Sequence, residues 1–308
     1  MASPHSGRVH SRSMTNEPKL LSAVSYPSTS SAPPPRLHRL ALLGAALLLA
    51  ATASLAADAT MLFEPIGVFD LELDGKVISS ARIFHSSEAG AVLAMAPELP
   101  FPIAVVPRNK TVQRLDAADL RDQPLGSIVW TAEGRKDAVA TFEMVDAKPV
   151  FELEGKKVRF IDRAPLLGSK TIEEIVAYDR AYAYQAAKVE LSNVYLDVLQ
   201  AWPDEVVVKV FFSTQCQVCR ELMPNILKLE ETLQNPKFRF EFHGMPLPAT
   251  SDPLAAELQI TTFPTAILYQ EGKEVGRAIG HSWRIPTMAL HNALRGIKVD
   301  TDKLIQRQ

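Results

Sequence analysis

VVVKVFFSTQCQVCRELMP, residues 206 to 224, decides how the rest of the chain is read. Its first seven residues are apolar except for Lys209, as expected of a strand covered on both faces. Leu222, Ile226, Leu229 and Leu233 then recur at helical spacing, so a helix follows the strand directly. Between the two stand Cys216 and Cys219, the only cysteines among 308 residues. A lone pair can close one short bridge and cannot build a disulfide framework. Its spacing suits a redox couple, half of a metal site or a structural staple.

The junction separates the two thiols chemically. Cys216 falls where the strand turns into the helix, and there unpaired backbone N–H groups and the helix dipole favour a thiolate. Cys219 lies in the first turn on the stripe of Leu222 and Ile226, so it is expected to be buried and to act as the second, resolving thiol. The side chain of Arg220 is expected to face solvent.

The flanking segments read as an alternating α/β unit. FRFEF, residues 238 to 242, alternates as a second strand. Asp252-Pro253 supplies an N-cap and a first-turn proline for the short helix LAAELQ. TAILY and EVGRAI form a hairpin through Glu271-Gly272, and RIPTMALHNALRG closes the unit as a last helix. Upstream, between Thr171 and Trp202, the apolar period is near 3.6, carried by Ile172, Ile175 and Val176 and then by Leu191, Val194, Tyr195 and Val198. Thr171 with Glu174 makes a capping box at the start of this helical stretch, and Pro203 ends it. Tyr178, Tyr182 and Tyr184 are expected to serve packing rather than binding.

These features together resemble the thioredoxin family over about residues 171 to 300. The resemblance is carried by VVVKVFF running into Cys216-Gln217-Val218-Cys219, by Pro224 five residues past the second cysteine, and by TTFPTAILYQEGKEVGRAIG, residues 261 to 280, with Gly272 and Gly280 in register. It implies a thioredoxin-like fold, a central mixed sheet flanked by helices, with no cofactor. It also implies that Pro264 is cis, packs against the cysteine pair, and with Phe263 holds the substrate strand. Cys216 and Cys219 would then exchange disulfides with protein thiol or disulfide substrates and with a redox partner protein. The chain departs from the family at Gln215, where a tryptophan is usual, and at Val210, where an acidic residue is commonly buried beneath the site. Glu241 on the neighbouring strand is the nearest substitute, and it is expected to face solvent. Gln217-Val218 assigns neither an oxidising nor a reducing role, and potentials on this fold span roughly 150 mV, on the order of 7 kcal/mol.

Two other classes stay open. Cys216 and Cys219 with His243 or His281 could bind copper or zinc, although structural zinc normally takes four ligands and no second CxxC is present. A non-catalytic adaptor built on the same fold is the other.

Residues 60 to 168 follow a different pattern. VFDLELDGKVISSARIF alternates on both sides of Asp74-Gly75, a dipeptide suited to a tight hairpin, and the following segments continue in that style. A small antiparallel sandwich or barrel is expected. His85 has no Cys, Asp or Glu spaced with it as a ligand set, and a docking or dimerisation role for the region follows by elimination. Residues 1 to 35 are Ser- and Pro-rich and read as a disordered leader. Residues 36 to 57 place Arg36, His38 and Arg39 before an apolar run, which reads as a signal peptide cleaved near Ala56, with Ser54 and Ala56 at the recognition positions. The alternative is a membrane anchor through residues 40 to 57. Met14 is a second possible start, and residues 301 to 308 form a tail. Either reading of the apolar run places the remainder in the periplasm or another extracytoplasmic compartment, where a disulfide can persist. A net charge of -2 gives no reason to expect a nucleic-acid partner.

Overall fold

The computed structural model describes residues 60–131 and 137–297. The expected leader, apolar run and tail lie outside the described residues, and among the described residues no helix is long and apolar enough to cross a membrane.

The first region contains β1 (Thr60–Pro65), β2 (Phe69–Leu73), β3 (Lys76–Ile78), β4 (Arg82–Ser86), β5 (Ala91–Met95) and β6 (Ile103–Val106). It continues through β7 (Thr111–Arg114), β8 (Leu120–Asp122), β9 (Ile128–Thr131), β10 (Ala138–Val145), β11 (Lys148–Leu153) and β12 (Lys156–Asp162). Asp74 and Gly75 take φ of 50° and 80°, the left-handed pair that a two-residue hairpin between β2 and β3 requires. Where a small sandwich or barrel was expected, the strands pair antiparallel in one ladder, β3-β2-β12-β11-β10-β7-β6-β5-β4-β1-β9-β8, open at both ends. Successive residues of a strand point to opposite faces, and the central strands use both. Ile83, Ala94 and Ile103 join a core with Leu71, Phe151 and Phe160. Their sequence neighbours Phe84, Leu93 and Ala104 join a second core with Phe63, Ile128 and Trp130.

The second region begins with β13 (Gly168–Lys170), followed by α1 (Ile172–Tyr178), α2 (Arg180–Ala186) and α3 (Asn193–Gln200). Then come β14 (Val206–Phe212), α4 (Gln217–Thr232), β15 (Phe238–Gly244), α5 (Pro253–Glu257), β16 (Thr265–Gln270), β17 (Lys273–Ile279) and α6 (Pro286–Leu294). The sheet order is β13-β15-β14-β16-β17, with β14 and β15 parallel and the other pairs antiparallel, so the expected mixed sheet flanked by helices is present.

Two local readings change. The stretch from Thr171 to Trp202 forms three helices instead of one, because Asp179 ends α1 and caps α2, its Oδ1 accepting the Ala181 N–H at 2.9 Å. The capping box on α1 is present, with Thr171 and Glu174 exchanging both hydrogen bonds. In α3 the inner stripe is Leu196 and Leu199, while Val194 and Val198 are 73% and 44% exposed. The second change concerns β14, where Val206, Val208 and Val210 are buried but Val207 and Lys209 are only half covered. Lys209 lies over the Tyr269 ring and 3.7 Å from Glu241, so that end of the face is a polar ladder and not core.

Polar contacts fasten the first region to the helices of the second. Glu64 of β1 accepts from Tyr184, Gln185 and Lys188. Arg163 binds Asp70 and the Tyr178 carbonyl at once. The segment between β12 and β13 then runs close to the cysteine loop, where the Leu166 N–H donates to Thr214 Oγ1 at 3.2 Å. Inside the second region, Asn235 Nδ2 donates to the Leu199 and Trp202 carbonyls while its Oδ1 accepts from Lys237, tying α3 to the turn before β15.

Candidate active site

Cys216 is the N-cap of α4, held in an extended conformation by the end of β14, and Cys219 lies one turn into the helix. Cys216 is partly exposed, Cys219 is 0% exposed, and the two are not bridged. The geometry makes the pair unequal. The Cys219 thiol donates a hydrogen bond to Cys216, and the backbone N–H groups of Cys219 and Val218 and the charge of Arg220 act the same way against the cost of partial burial. Together they pull the Cys216 thiol down to about 6. Burial, and then the proximity of Cys216, push the Cys219 thiol far up, although the Ser213 N–H reaches its sulfur at 3.5 Å. One sulfur is thus prepared as a nucleophile near neutral pH and the other is kept protonated.

The structure distributes the remaining residues over the second region and β4. Phe263 and Cys219 share a hydrophobic cluster on which Cys216 packs. The Phe263–Pro264 peptide is cis, and the Gly280 N–H donates to the Pro264 carbonyl at 2.8 Å. Pro224 is buried inside α4, and Asn225 next to it donates to the Trp283 carbonyl at 2.9 Å. Val210 is fully buried, and Gln215 is exposed. Glu241 sits opposite Lys209 in the ladder and also pairs with Arg239, on the polar end of the sheet face. The His243 ring lies beside Phe211, tilted by 50° with centroids 5.9 Å apart, and His85 is exposed on β4. Among the described residues no group of three or more His, Cys, Asp and Glu is placed to hold a metal ion.

Arg220 departs from expectation. It is half-buried and does not stand free in solvent, because it lines a cleft of about 750 Å³ beside the cysteine helix. Gln217, Glu221 and Pro224 form the same wall, Asp179 and Tyr182 form another, and residues 66 to 69 of the first region form a third. Asp179 was not singled out by sequence reasoning. The signal for it was an N-cap residue inside an otherwise helical period.

The Thioredoxin family model matches residues 186–292. Thioredoxin-2 of Saccharomyces cerevisiae is 34% identical over 77 residues, covering 25% of this chain and 69% of that protein. Thioredoxin-1 of the same yeast is 31% identical over 77 residues, covering 25% and 70%. Mitochondrial thioredoxin 3 from Saccharomyces cerevisiae, solved in its oxidised form, aligns at 21% identity over 36% of this chain and 97% of that one, with a TM-score of 0.23. Through its C-terminal region the chain belongs to the thioredoxin family.

Proposed function

We propose that the protein is an exported thiol–disulfide oxidoreductase acting on protein disulfides through Cys216 and Cys219. The observation that carries this reading is the asymmetry of the pair: a partly exposed thiol lowered to about 6 at a helix N-terminus, hydrogen-bonded to a fully buried partner. The Cys216 thiolate attacks a substrate disulfide, its sulfur bonds to one substrate sulfur, and the other substrate sulfur leaves as a thiolate that takes up a proton. Cys219 then loses its proton and attacks Cys216, which releases the second substrate sulfur and leaves the Cys216–Cys219 disulfide. The two electrons gained by the substrate are those lost by the pair. The same atoms run in reverse when the pair is supplied oxidised.

Phe263 is buried in the same core as Cys219 and its peptide bond to Pro264 is cis, and by resemblance to the family a substrate strand would lie along that peptide. Export rests on the apolar run and small residues ahead of Ala56, and a redox partner protein would recycle the pair in that compartment. In an insulin-reduction assay Cys216→Ser abolishes turnover, and Cys219→Ser accumulates mixed disulfides on Cys216. Wild-type turnover by Cys216→Ser refutes the reading, and an adaptor role then takes its place.

A further inference from the structure

Asp179 is the only carboxylate among the described residues that is buried, at 4% exposure, and thiol exchange as described makes no use of it. Two features define its setting. The first region lies directly on it: a Cβ built on Gly67 would fall 2.2 Å from its carboxyl carbon and 2.3 Å from Oδ1, so only glycine permits this approach. On its other side it lines the same cleft as Arg220, the residue next to Cys219, and among the described residues no side-chain hydrogen bond or ion pair fixes Arg220 elsewhere. Arg220 acts electrostatically on Asp179, on Cys216 and on Cys219.

We propose that Asp179, pressed against Gly67 of the β-rich region, is a positioning residue that sets through Arg220 how readily Cys216 carries negative charge. The inference deepens the redox reading of Cys216 and rests on it. Burial raises the Asp179 carboxyl above its ordinary range, and the Ala181 N–H, Arg163 and Arg220 oppose that rise. The phenols of Tyr178 and Tyr182 are the other titratable groups against it. Glu64, His85, Lys188 and Glu221 line the same cleft, with Glu64 and Lys188 paired to each other at 2.7 Å. An ionised Asp179 draws on the field of Arg220 and repels the thiolate, and a protonated one does neither. The β-rich region thereby acquires a function at the redox centre, since its Gly67 keeps water from the carboxyl.

The test is the pH profile of Cys216 alkylation by iodoacetamide in the full reduced chain, read by mass spectrometry with Cys219 as the buried internal control. Asp179→Asn keeps an oxygen to cap α2 and removes the charge. Its midpoint should fall by at least a few tenths of a unit, because losing a nearby negative charge frees the field of Arg220 for the thiolate. Gly67→Ala lies in the other region and must displace the carboxyl, so labelling at pH 5 should change by about twofold or more. A wild-type profile in either variant, with Cys219 still protected, overturns the inference and leaves the exchange chemistry standing. A wild-type Cys216 that titrates as an ordinary thiol overturns both.

Discussion

Replacing Cys219 by alanine removes the first contributor to the acidity of Cys216, the hydrogen bond from the buried thiol. Hydrogen bonds to charged groups are worth about 1.5 to 3 kcal/mol, or one to two units, and a thiol is a weak donor, so the lower value applies. The midpoint of Cys216 should then move from about 6 to roughly 7. At pH 5 that change cuts the thiolate fraction by about ninefold, while the more basic thiolate gains roughly threefold in intrinsic reactivity. Labelling of Cys219→Ala by iodoacetamide should therefore be about threefold slower than wild type at pH 5. At pH 8 nearly all of both sulfurs are ionised, and the variant should react about threefold faster. The two rate profiles cross between about pH 6 and 7. Cys219→Ser retains a donor at the same place and should track the wild type. Parallel profiles for wild type and Cys219→Ala, or equal shifts for serine and alanine, would show that the buried thiol does not set the acidity.

Two further outcomes follow from other parts of the structure. The folded-state acidity of Cys216 lies below that of an unfolded thiol, so its contribution to stability is complete above the unfolded value near 9 and is lost as pH falls through about 6. Three units would give about 4 kcal/mol, and solvent screening of a half-exposed group reduces this to roughly 2 kcal/mol. Urea denaturation under reducing conditions should show the wild type gaining that much over Cys216→Ser between about pH 5 and 9, and a difference independent of pH would refute the assignment. Gly276 in β17 meets α6 so closely that an added Cβ would lie 2.0 Å from the Ala293 carbonyl oxygen. Gly276→Ala should cost about 2 to 4 kcal/mol in the same assay because backbone has to move, and a loss below about 1 kcal/mol would contradict the packing.

What was legible in the sequence was local. The β14–α4 junction, the burial of Cys219, the capping box at Thr171 and the Asp74-Gly75 hairpin follow from spacing and from residue types with strong backbone preferences. The three-helix division was obscured because Asp179 caps α2 within a continuous apolar period, and periodicity alone does not register a cap. Val194 and Val198 suit a helical stripe but face outward, since Leu196 and Leu199 meet the core instead. The contact of Gly67 with Asp179 and the placing of Arg220 in a cleft arise from packing between distant segments, and no local pattern encodes them.

The segment that joins the two regions has a consequence for anyone dissecting the molecule. Its residues 168 to 170 form β13, which occupies the free side of β15, and the Leu166 carbonyl packs where a Cβ on Gly244 would stand at 2.0 Å. A chain cut at the family match would keep the cysteine pair but strip β15 of its outer partner. The backbone donors and acceptors of that edge would then be open to strands of other molecules, a recognised route to aggregation. The connector is accordingly part of the thioredoxin-like fold and not a tether, and a shortened chain has to begin before Leu166 to keep that edge of β15 covered.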